Sequence, residues 1–372
     1  MSARREMIDL FGRCLALRLD PAELAALRAR FMSSPGLWSE LTDFALEEGL
    51  VLALEQSLRA RGLLLSELLP PDSGLVGPDR WLSTSAAGFA ERRRLLGRSL
   101  VEILARLNLA GIEPIVIKGA QSLLTGDPPW RYLRDFDLLI PDKADEAQAV
   151  LIAMGFSVPE EEAERRRRHH LPPLVRKDFP GFIEIHRRAG NQYVRSLLPT
   201  RELAARSELR VQGELRYRLL PQPLHVLYSL VHHHIGHAGD ARGTISLKGL
   251  YEFAWEVERM TAAERQALQS RADLHPRLAA ALDTWIAAAA DLYRMPVEPP
   301  FAVHRDAAQC WQGTLERLDQ PRPWYKYPGY RDEVRMGLSE RRVRAAPFGA
   351  SRPGRTWTRL KVMRSFLPRF TK

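Results

Sequence analysis

Three short apolar runs, set between long stretches with helical periodicity, most constrain the fold of this chain. The first run, Ile115–Ile117, is entirely β-branched. The second covers residues 136–140, and the third, Phe182–His186, alternates apolar and polar side chains. Runs of this length and composition are typical of strands, and alternation places successive side chains on opposite faces of a sheet. We therefore predict an α+β fold with a small sheet inside residues 113–195.

Helical signals occupy the sequence on both sides of these runs. Asp20-Pro21 combines a capping side chain with the residue favoured at the first helical position. A loop is predicted at 69–78, where prolines and glycines crowd together, and helix is predicted to resume near Ala90. We predict a helical N-terminal region at residues 1–112 and a sheet-containing core at 113–195. A helical C-terminal region at 196–318 and a basic tail at 319–372 follow.

Composition narrows the function classes. No apolar stretch reaches the roughly 20 residues of a membrane span, and the first ten residues carry charges without a cleavage pattern. We therefore expect a cytoplasmic protein with no membrane partner. Cys14 and Cys310 are too few and too far apart for a disulfide framework or a cysteine-based zinc site.

The net charge of +10 is located at the C-terminal end. Residues 320–372 hold 14 Lys and Arg against three acids, so this tail carries +11 and the rest of the chain −1. Trp and Tyr are interspersed with the basic residues, a composition that can follow phosphates and stack on bases. A solubilising tail is the default interpretation, and a surface for nucleic acid or another anionic partner is the alternative.

Two aspartates lie two residues apart where the second run begins. Because side chains alternate along a strand, Asp135 and Asp137 point to the same side. Two like charges at this spacing are costly unless a cation bridges them, and Mg²⁺ prefers such oxygen ligands together with substrate phosphates. Glu184 is an acid within an otherwise apolar strand, where a charge needs a reason. The sequence therefore predicts a metal site at Asp135, Asp137 and Glu184.

Lys118-Gly119-Ala120 follows the first run and precedes a predicted short helix at 120–124. Glycine permits close approach to the backbone, and amides at a helix start attract phosphate. The segment therefore predicts contact with a phosphate group.

These motifs, in this order, resemble the nucleotidyltransferase superfamily of DNA polymerase beta. They are more closely similar to an uncharacterised bacterial nucleotidyltransferase family with Lys-Gly-Ala and Asp-x-Asp-Leu-Leu signatures. The matching segments are Ile-Lys-Gly-Ala at 117–120, Arg-x-x-x-Asp-Phe-Asp-Leu-Leu at 131–139, Gly-Phe at 155–156 and Ile-Glu-Ile-His at 183–186. The fold that the resemblance implies is α+β, a small mixed β-sheet nucleotidyltransferase core with helical N-terminal and C-terminal regions.

The resemblance also implies a reaction. An NMP group would pass from an NTP, such as ATP, to a hydroxyl on a small molecule or protein, with release of pyrophosphate. Two Mg²⁺ ions, or Mn²⁺, would be the cofactors, with Asp135 and Asp137 binding both ions and Glu184 the catalytic one. The residues to which it assigns nucleotide binding are Lys118, Gly119, Ala120 and Arg131.

Some of these assignments have a specific physical basis. Ala120 replaces the Ser or second Gly of the wider superfamily, and Lys118 would offset the lost hydroxyl as a point charge near the triphosphate. Arg131 would contact the triphosphate or fix the Asp-x-Asp loop by a bidentate ion pair. Glu252 and His186 are candidates for the acceptor site, where an acid can orient a hydroxyl or act as base.

Structural alternatives stay open for the acids. Glu184 would be a strand-edge acid paired with Arg187 or Arg176. Glu252 would be an exposed helix acid paired with Lys248, four residues earlier.

The histidines and the whole chain also have alternative interpretations. His233 and His237 are four apart and can share a helix face as zinc ligands do, although a polar helix end is favoured. His186 is interpreted as a sheet-face residue that hydrogen-bonds near Glu184 in preference to a ligand. The arginine run at 165–168 is a solvated loop or a guide for triphosphate. The chain as a whole could instead be a catalytically degenerate nucleotide-binding module whose basic tail binds RNA or another anionic partner.

Overall fold

The computed structural model describes residues 2–34, 36–64, 77–159 and 169–319. Most of the predicted loop at 69–78, the arginine run at 165–168 and the basic tail from residue 320 lie outside the described residues. In the described part, helices surround one five-stranded sheet. The predicted α+β fold is confirmed.

Five helices of the described part precede the sheet. They are Ala3–Leu15 (α1), Pro21–Ser33 (α2), Leu37–Glu48 (α3), Val51–Ala60 (α4) and Gly77–Leu109 (α5). Asp20 caps α2 as predicted, since its carboxylate accepts a hydrogen bond of 2.7 Å from the Glu23 amide. The predicted resumption of helix near Ala90 is wrong, because α5 already begins at Gly77.

The strands form one mixed sheet. They are Ile115–Ile117 (β1), Asp135–Leu139 (β2), Phe182–His186 (β3), Glu208–Gln212 (β4) and Leu215–Leu219 (β5). Their order across the sheet is β3-β2-β1-β5-β4. β2 runs antiparallel to β1 and parallel to β3, and β5 runs parallel to β1 and antiparallel to β4. The three predicted strands are confirmed, with β2 shifted by one residue.

The β4–β5 hairpin contradicts the prediction that residues 196–318 form a helical C-terminal region. A two-residue connection with Gly213 in the left-handed region, at φ +60°, joins the two strands. Glycine adopts this backbone conformation without steric cost, and such turns match the twist of a hairpin. Tyr217 and Leu219 on β5 are buried in the core beneath the sheet. The sheet therefore extends into the predicted helical region at 196–318.

The other helices connect the strands or follow the sheet. Between strands lie a 3₁₀ turn at Lys118–Ala120 and the helices Gln121–Thr125 (α6), Ala144–Ala153 (α7), Gln192–Leu197 (α8) and Thr200–Arg206 (α9). After β5 come Gln222–Leu230 (α10), a π-helical turn at Val231–Gly236, Gly239–Arg242 (α11), Leu247–Glu258 (α12), Ala262–Asp273 (α13), Pro276–Tyr293 (α14) and Arg305–Leu318 (α15). Of the helices in the described ranges, none is both long and apolar enough to cross a membrane.

Two hydrophobic cores lie on opposite faces of the sheet. Val116, Phe136 and Ile183 belong to a core that includes the second half of α5. Ile117 and Leu139, which alternate with them, belong to a core built from helices of both the N-terminal and C-terminal regions. Because Asp137 lies two residues from Leu139, the acids lie on the same face as Leu139. This face is covered by the core built from helices of both the N-terminal and C-terminal regions.

Candidate active site

The strand register brings the predicted acids together. Asp137 on β2 lies opposite Glu184 on the parallel strand β3 and opposite Ile117 on β1. Asp135 precedes Asp137 by two residues and therefore lies on the same face. The acids are thus placed at the boundary between the sheet and the helical regions.

Asp137, Glu184 and His186 form a compact cluster with the composition of a metal site. Their ligand atoms all lie within 4.8 Å of one another. The Nε2 atom of His186 is 2.7 Å from Asp137 Oδ1 and 3.4 Å from Glu184 Oε2. Asp137 and His186 are buried, and Glu184 is half-buried. His186 therefore hydrogen-bonds beside Glu184 on the sheet face, as the sequence predicts.

The arginines offered as alternative partners of Glu184 are engaged elsewhere. Arg176 Nε lies 2.7 Å from Asp178 Oδ1, and Arg187 pairs with Asp145. The predicted pairing of Glu184 with one of these arginines is therefore wrong, although β3 is an edge strand of the sheet as that interpretation required. Its closest charged neighbours are the other members of the cluster.

Lys118 adds a positive charge to the same cluster. Its Nζ atom lies 2.7 Å from Asp137 Oδ1, the oxygen that His186 also contacts. The backbone of Lys118 has φ +53°, in the left-handed region. A residue other than glycine pays about 1–3 kcal/mol for a sparsely populated backbone conformation, and such strain is concentrated at functional sites. The turn after β1 thus directs the ammonium of Lys118 to the carboxylate of Asp137.

Burial and neighbouring charges separate the pKa values of the two aspartates. Burial, followed by the negative charge of Asp137, raises the pKa of Asp135 to about 6. Burial alone would also raise the pKa of Asp137, but Lys118 and His186 outweigh it and hold that pKa well below its usual range. Asp137 therefore carries a compensated negative charge, whereas the charge of Asp135 is disfavoured unless a cation approaches.

Lys118 and His186 respond in the opposite direction. Burial by itself would lower the pKa of the Lys118 ammonium, but the charge of Asp137 outweighs burial and raises it. Burial would likewise lower the pKa of His186, and hydrogen bonds to Asp137 and Glu184 raise it instead. Both groups therefore favour their protonated forms while Asp137 is ionised.

Gly119 has a packing role in addition to the predicted approach of a ligand. A Cβ atom at this position would lie 2.1 Å from Leu133 Cδ2. Leu133 is itself buried in the core beneath the sheet. The absence of a side chain at Gly119 therefore allows the segment before β2 to pack against the turn after β1.

We expect Gly119→Ala to lower the free energy of unfolding by about 1–3 kcal/mol, because Leu133 must leave a packed position to admit the new methyl group. Urea denaturation followed by circular dichroism measures the change. Gly88→Ala is the matched control, since nothing lies within 4 Å of a Cβ at this helical position. The control should stabilise the protein by about 0.5–1 kcal/mol. Equal destabilisation by both variants would contradict the packing explanation.

Arg131 lies in a buried ion cluster with helix α12. Its Nη2 atom is 2.9 Å from Glu252 Oε2, and its Nη1 atom is 3.7 Å from Glu256 Oε1. The side chains of Arg131 and Glu252 are 3% and 4% exposed. An ion pair of Arg131, one of the two predicted roles, is therefore present, and the carboxylates of α12 are its partners.

Glu252 is buried, so its interpretation as an exposed helix acid is also wrong. The predicted pairing with Lys248 is present, at 3.6 Å between Nζ and Oε1. Lys248 in turn donates a hydrogen bond of 2.8 Å to the carbonyl of Tyr132. Glu252 and Lys248 thus tie α12 to the segment that precedes β2. A role of Glu252 at the acceptor site stays a prediction.

A π-helical turn carries the consecutive histidines. It brings His232 to His237, whose Nε2 atoms are 3.3 Å apart. The predicted pair, His233 and His237, has stacked rings with centroids 6.5 Å apart. In the part of the chain that the structure describes, these histidines do not belong to a group of three converging ligands. Helical spacing singled out His233 and His237 from a run that also includes His232, whereas the π-helical turn brings His232 to His237.

The fold and the cluster define a class of protein: an α+β protein whose small mixed sheet carries a potential metal-binding acidic centre on the face turned towards helices. The chain belongs to the family described as uncharacterised nucleotidyltransferase, whose model matches residues 34–293. This match includes Asp135, Asp137 and Glu184 and supports a general role in nucleotidyl transfer. Comparisons with curated proteins and with solved structures gave no match.

Proposed function

We propose that this protein transfers an NMP group from an NTP to a hydroxyl acceptor, with Asp135, Asp137 and Glu184 as ligands of two divalent cations. The observation that carries the proposal is the register of β2 and β3, which puts Asp137 opposite Glu184. Asp135 lies on the same face, so three carboxylates line one end of the sheet surface. Membership of a nucleotidyltransferase family supports the reaction class.

The side chains present fit a divalent cation. The oxygen and nitrogen atoms of Asp137, Glu184 and His186 converge within 4.8 Å. Asp135 adds a carboxylate that, among the described residues, forms no hydrogen bond or ion pair of its own. Oxygen donors suit Mg²⁺ and Mn²⁺, and His186 would have to lose its proton before its imidazole could join them as a ligand. When bound, such ions would polarise the phosphoryl group and lower the pKa of the acceptor hydroxyl.

The protein's own groups would orient this centre. His186 holds the Asp137 carboxylate through its Nε2 atom and leaves the second carboxylate oxygen for a ligand. Lys118 neutralises Asp137 in this structure, and its ammonium would turn to the triphosphate once a cation shares that carboxylate. Gly119 and Ala120 follow Lys118 in the same turn, and we assign nucleotide contact to their backbone, because the Ala120 side chain is fully buried. Arg131 is buried, so we assign it to positioning the segment before β2.

The acceptor would enter from the sheet face that carries Asp135, Asp137 and Glu184. The acids face the helical regions, and α12 is tied by Lys248 to the segment before β2. His186 and Glu252 are the acceptor-site candidates, and only Glu252 belongs to this helix. A small molecule or an exposed protein hydroxyl would satisfy the chemistry, since the proposed reaction requires one nucleophilic oxygen.

The labelling of an acceptor tests the proposed function. The protein is incubated with each α-labelled NTP, Mg²⁺ or Mn²⁺ and a cell extract, and the labelled product is identified by mass spectrometry. The variant Asp135→Asn is the matched control and should yield no labelled product. Tight retention of NTP without pyrophosphate release, for every nucleotide and extract, would overturn the proposal in favour of a nucleotide-binding module.

The affinity for Mn²⁺ should depend on pH through Asp135. A carboxylate must lose its proton to ligate a cation, and burial together with Asp137 raises the pKa of Asp135 to about 6. We expect the affinity for Mn²⁺ to fall as the pH drops below about 6, because protons then compete with the cation for the Asp135 carboxylate. Above that pH the affinity should be constant. Calorimetric titration between pH 5 and 8 measures this dependence. A flat profile, or one that Asp135→Asn leaves unchanged, would contradict the assignment of Asp135 as a ligand.

A further inference from the structure

A polar cavity lies beside the π-helical turn, outside the acidic cluster. It has a volume of about 240 Å³, and its lining residues are His233, His237, Gly239, Arg242, Thr244 and Ser246. The lining provides two imidazoles and two hydroxyl groups. Arg242 already has an interaction of its own, so its guanidinium is not available as a free cation. A ligand in this cavity would therefore meet mainly uncharged hydrogen-bonding groups.

The imidazoles of this lining favour their neutral form. Burial, followed by the positive charge of Lys248, lowers the pKa of His233 well below its usual range. Burial, followed by the positive charge of Lys118, also lowers the pKa of His237. A neutral imidazole has one nitrogen that donates a hydrogen bond and one that accepts it, and a hydroxyl group also does both. The cavity wall can therefore bond to a ligand in both directions.

Two of these groups have no hydrogen-bond partner within the described residues. They are the ring nitrogens of His233, which is half-buried, and the hydroxyl of Thr244. The backbone of Thr244 is fixed, since its amide donates a hydrogen bond of 2.9 Å to the carbonyl of Gly239. The hydroxyl of Ser246 accepts a hydrogen bond of 3.1 Å from the amide of Gly249, which leaves its proton for a ligand. The wall therefore presents unused hydrogen-bonding capacity on a fixed backbone.

The charges around the cavity are paired, which disfavours an ionic ligand. Lys118 Nζ lies 2.7 Å from Asp137 Oδ1, and Arg131 Nη2 lies 2.9 Å from Glu252 Oε2. A charged molecule would lose solvation on entry without meeting a free opposite charge in the lining. A metal ion is disfavoured as well, because in the described ranges the histidines of the π-helical turn have no third converging ligand. An uncharged polar molecule therefore matches the cavity best.

The cavity adjoins the start of helix α12. Ser246 caps this helix, which also carries the acceptor-site candidate of the proposed function. A Cβ atom at Gly249 would lie 3.3 Å from His233 Cγ, so the π-helical turn packs against the first turn of α12. Lys248, in the same helical turn, bonds the carbonyl that lies before β2. The first turn of α12 therefore connects the cavity with the segment that leads to the acids.

We propose that this cavity binds the acceptor, and that the acceptor is an uncharged molecule with several hydroxyl groups, such as a sugar or another polyol. The inference rests on the proposed function for the reaction in which this acceptor takes part. Each hydroxyl of a polyol donates and accepts hydrogen bonds, as the imidazoles and hydroxyls of the wall do. A polyol also carries no charge that would have to be desolvated.

Binding of neutral and charged polyols to the full chain tests this assignment without nucleotide and without turnover. Glycerol, myo-inositol and glucose are titrated as neutral probes, and glucosamine and glucose 6-phosphate as charged counterparts of glucose, with ligand-observed NMR as the measurement. We expect at least one neutral probe to bind the wild type, and both charged derivatives to bind more weakly than the neutral probes. Absence of binding by all three neutral probes, or tighter binding of either charged derivative, overturns the proposal.

Two variants place the bound polyol in the cavity. Thr244→Val and His233→Phe keep the approximate shape of the side chain and remove its hydrogen-bonding group. Each should weaken the binding of the neutral probe roughly two- to tenfold, as the loss of a neutral hydrogen bond does. Thr284→Val is the matched control and should bind as the wild type does, because its hydroxyl bonds the carbonyl of Ala280 in its own helix. Thermal unfolding verifies that each variant is folded, and wild-type affinity of both cavity variants overturns the proposal.

A non-hydrolysable NTP analogue separates the acceptor from the nucleotide. Its affinity should be the same for the wild type and both cavity variants, and weaker binding by the variants would assign the cavity to the nucleotide and overturn the proposal. The labelling experiment fails independently of this one. Labelled product without binding of a neutral polyol would overturn this subsite and leave the proposed function intact, whereas polyol binding without labelled product would overturn the proposed function.

Discussion

Asp137→Asn is expected to abolish nucleotidyl transfer and to destabilise the fold in the same step. As a metal ligand, its carboxylate would stabilise charge in the transition state by several kcal/mol, so the rate should fall by about a thousandfold or more. The same oxygen holds Lys118 and His186, each at 2.7 Å. Neutralising it leaves the buried ammonium of Lys118 without its close partner, which costs about 3–5 kcal/mol. Pyrophosphate release and urea denaturation measure the two effects.

Asp135→Asn separates catalysis from stability and is the matched control. It should be as inactive as Asp137→Asn, because it removes another proposed ligand. Its effect on stability should have the opposite sign. A carboxyl whose pKa is raised to about 6 in the folded protein is less stable when ionised, so its contribution to stability decreases as the pH rises from about 4 to 6. In metal-free buffer at pH 7.5, Asp135→Asn should therefore keep or raise the midpoint of unfolding. Equal destabilisation by both variants would contradict the distinct environments of the two aspartates.

Arg131→Met should lower the free energy of unfolding by about 3–5 kcal/mol, because it leaves the buried carboxylates of Glu252 and Glu256 without the guanidinium. Glu252→Met should be destabilising for the converse reason, since it leaves the guanidinium with only the more distant Glu256. The double variant Arg131→Met/Glu252→Met should recover a large part of either loss, because replacing both members of a buried pair by apolar side chains is often neutral. Urea denaturation of the three variants completes a double-mutant cycle.

An exposed ion pair provides the control for this cycle. Arg210 and Glu208 lie 2.6 Å apart on β4, with about half of each side chain exposed. Arg210→Met should change stability by less than about 1 kcal/mol, because solvent screens a surface pair. If the double variant is as unstable as the sum of its single variants, Arg131 and Glu252 do not stabilise each other. That result would remove the proposed link between α12 and the segment before β2.

The strands and caps illustrate what local sequence predicts well. β1 and β3 are found at their predicted bounds because a short β-branched or alternating run favours extended backbone independently of its neighbours. The capping of α2 by Asp20 is equally local, since the carboxylate bonds an amide three residues along the chain. The hairpin at 208–219 was missed because its strands are rich in charged residues. Its position depends on the pairing of β5 with β1, in which Ile115 lies opposite Arg218, 103 residues later in the chain.

The candidate site likewise contains residues that the sequence identified and contacts that it could not predict. Asp135 and Asp137 could be identified because their spacing and strand context are adjacent in sequence. Lys118 was identified for its motif, but its contact with Asp137 depends on a left-handed backbone conformation that no short motif shows. The pairing of Arg131 with Glu252 could not be predicted, because α12 approaches the segment before β2 only in the folded protein.

The sequence by itself determined three of the five described strands, the capped start of α2 and which acids are candidates for a metal centre. These properties depend on residue type and on spacings of two to four positions. Only the tertiary structure decided that Glu184 lies opposite Asp137, that α12 holds Arg131 and that a π-helical turn places His232 against His237. The first two contacts join distant segments through strand register and packing, and the third depends on a π-helical backbone turn that residue spacing does not show. No local preference specifies them.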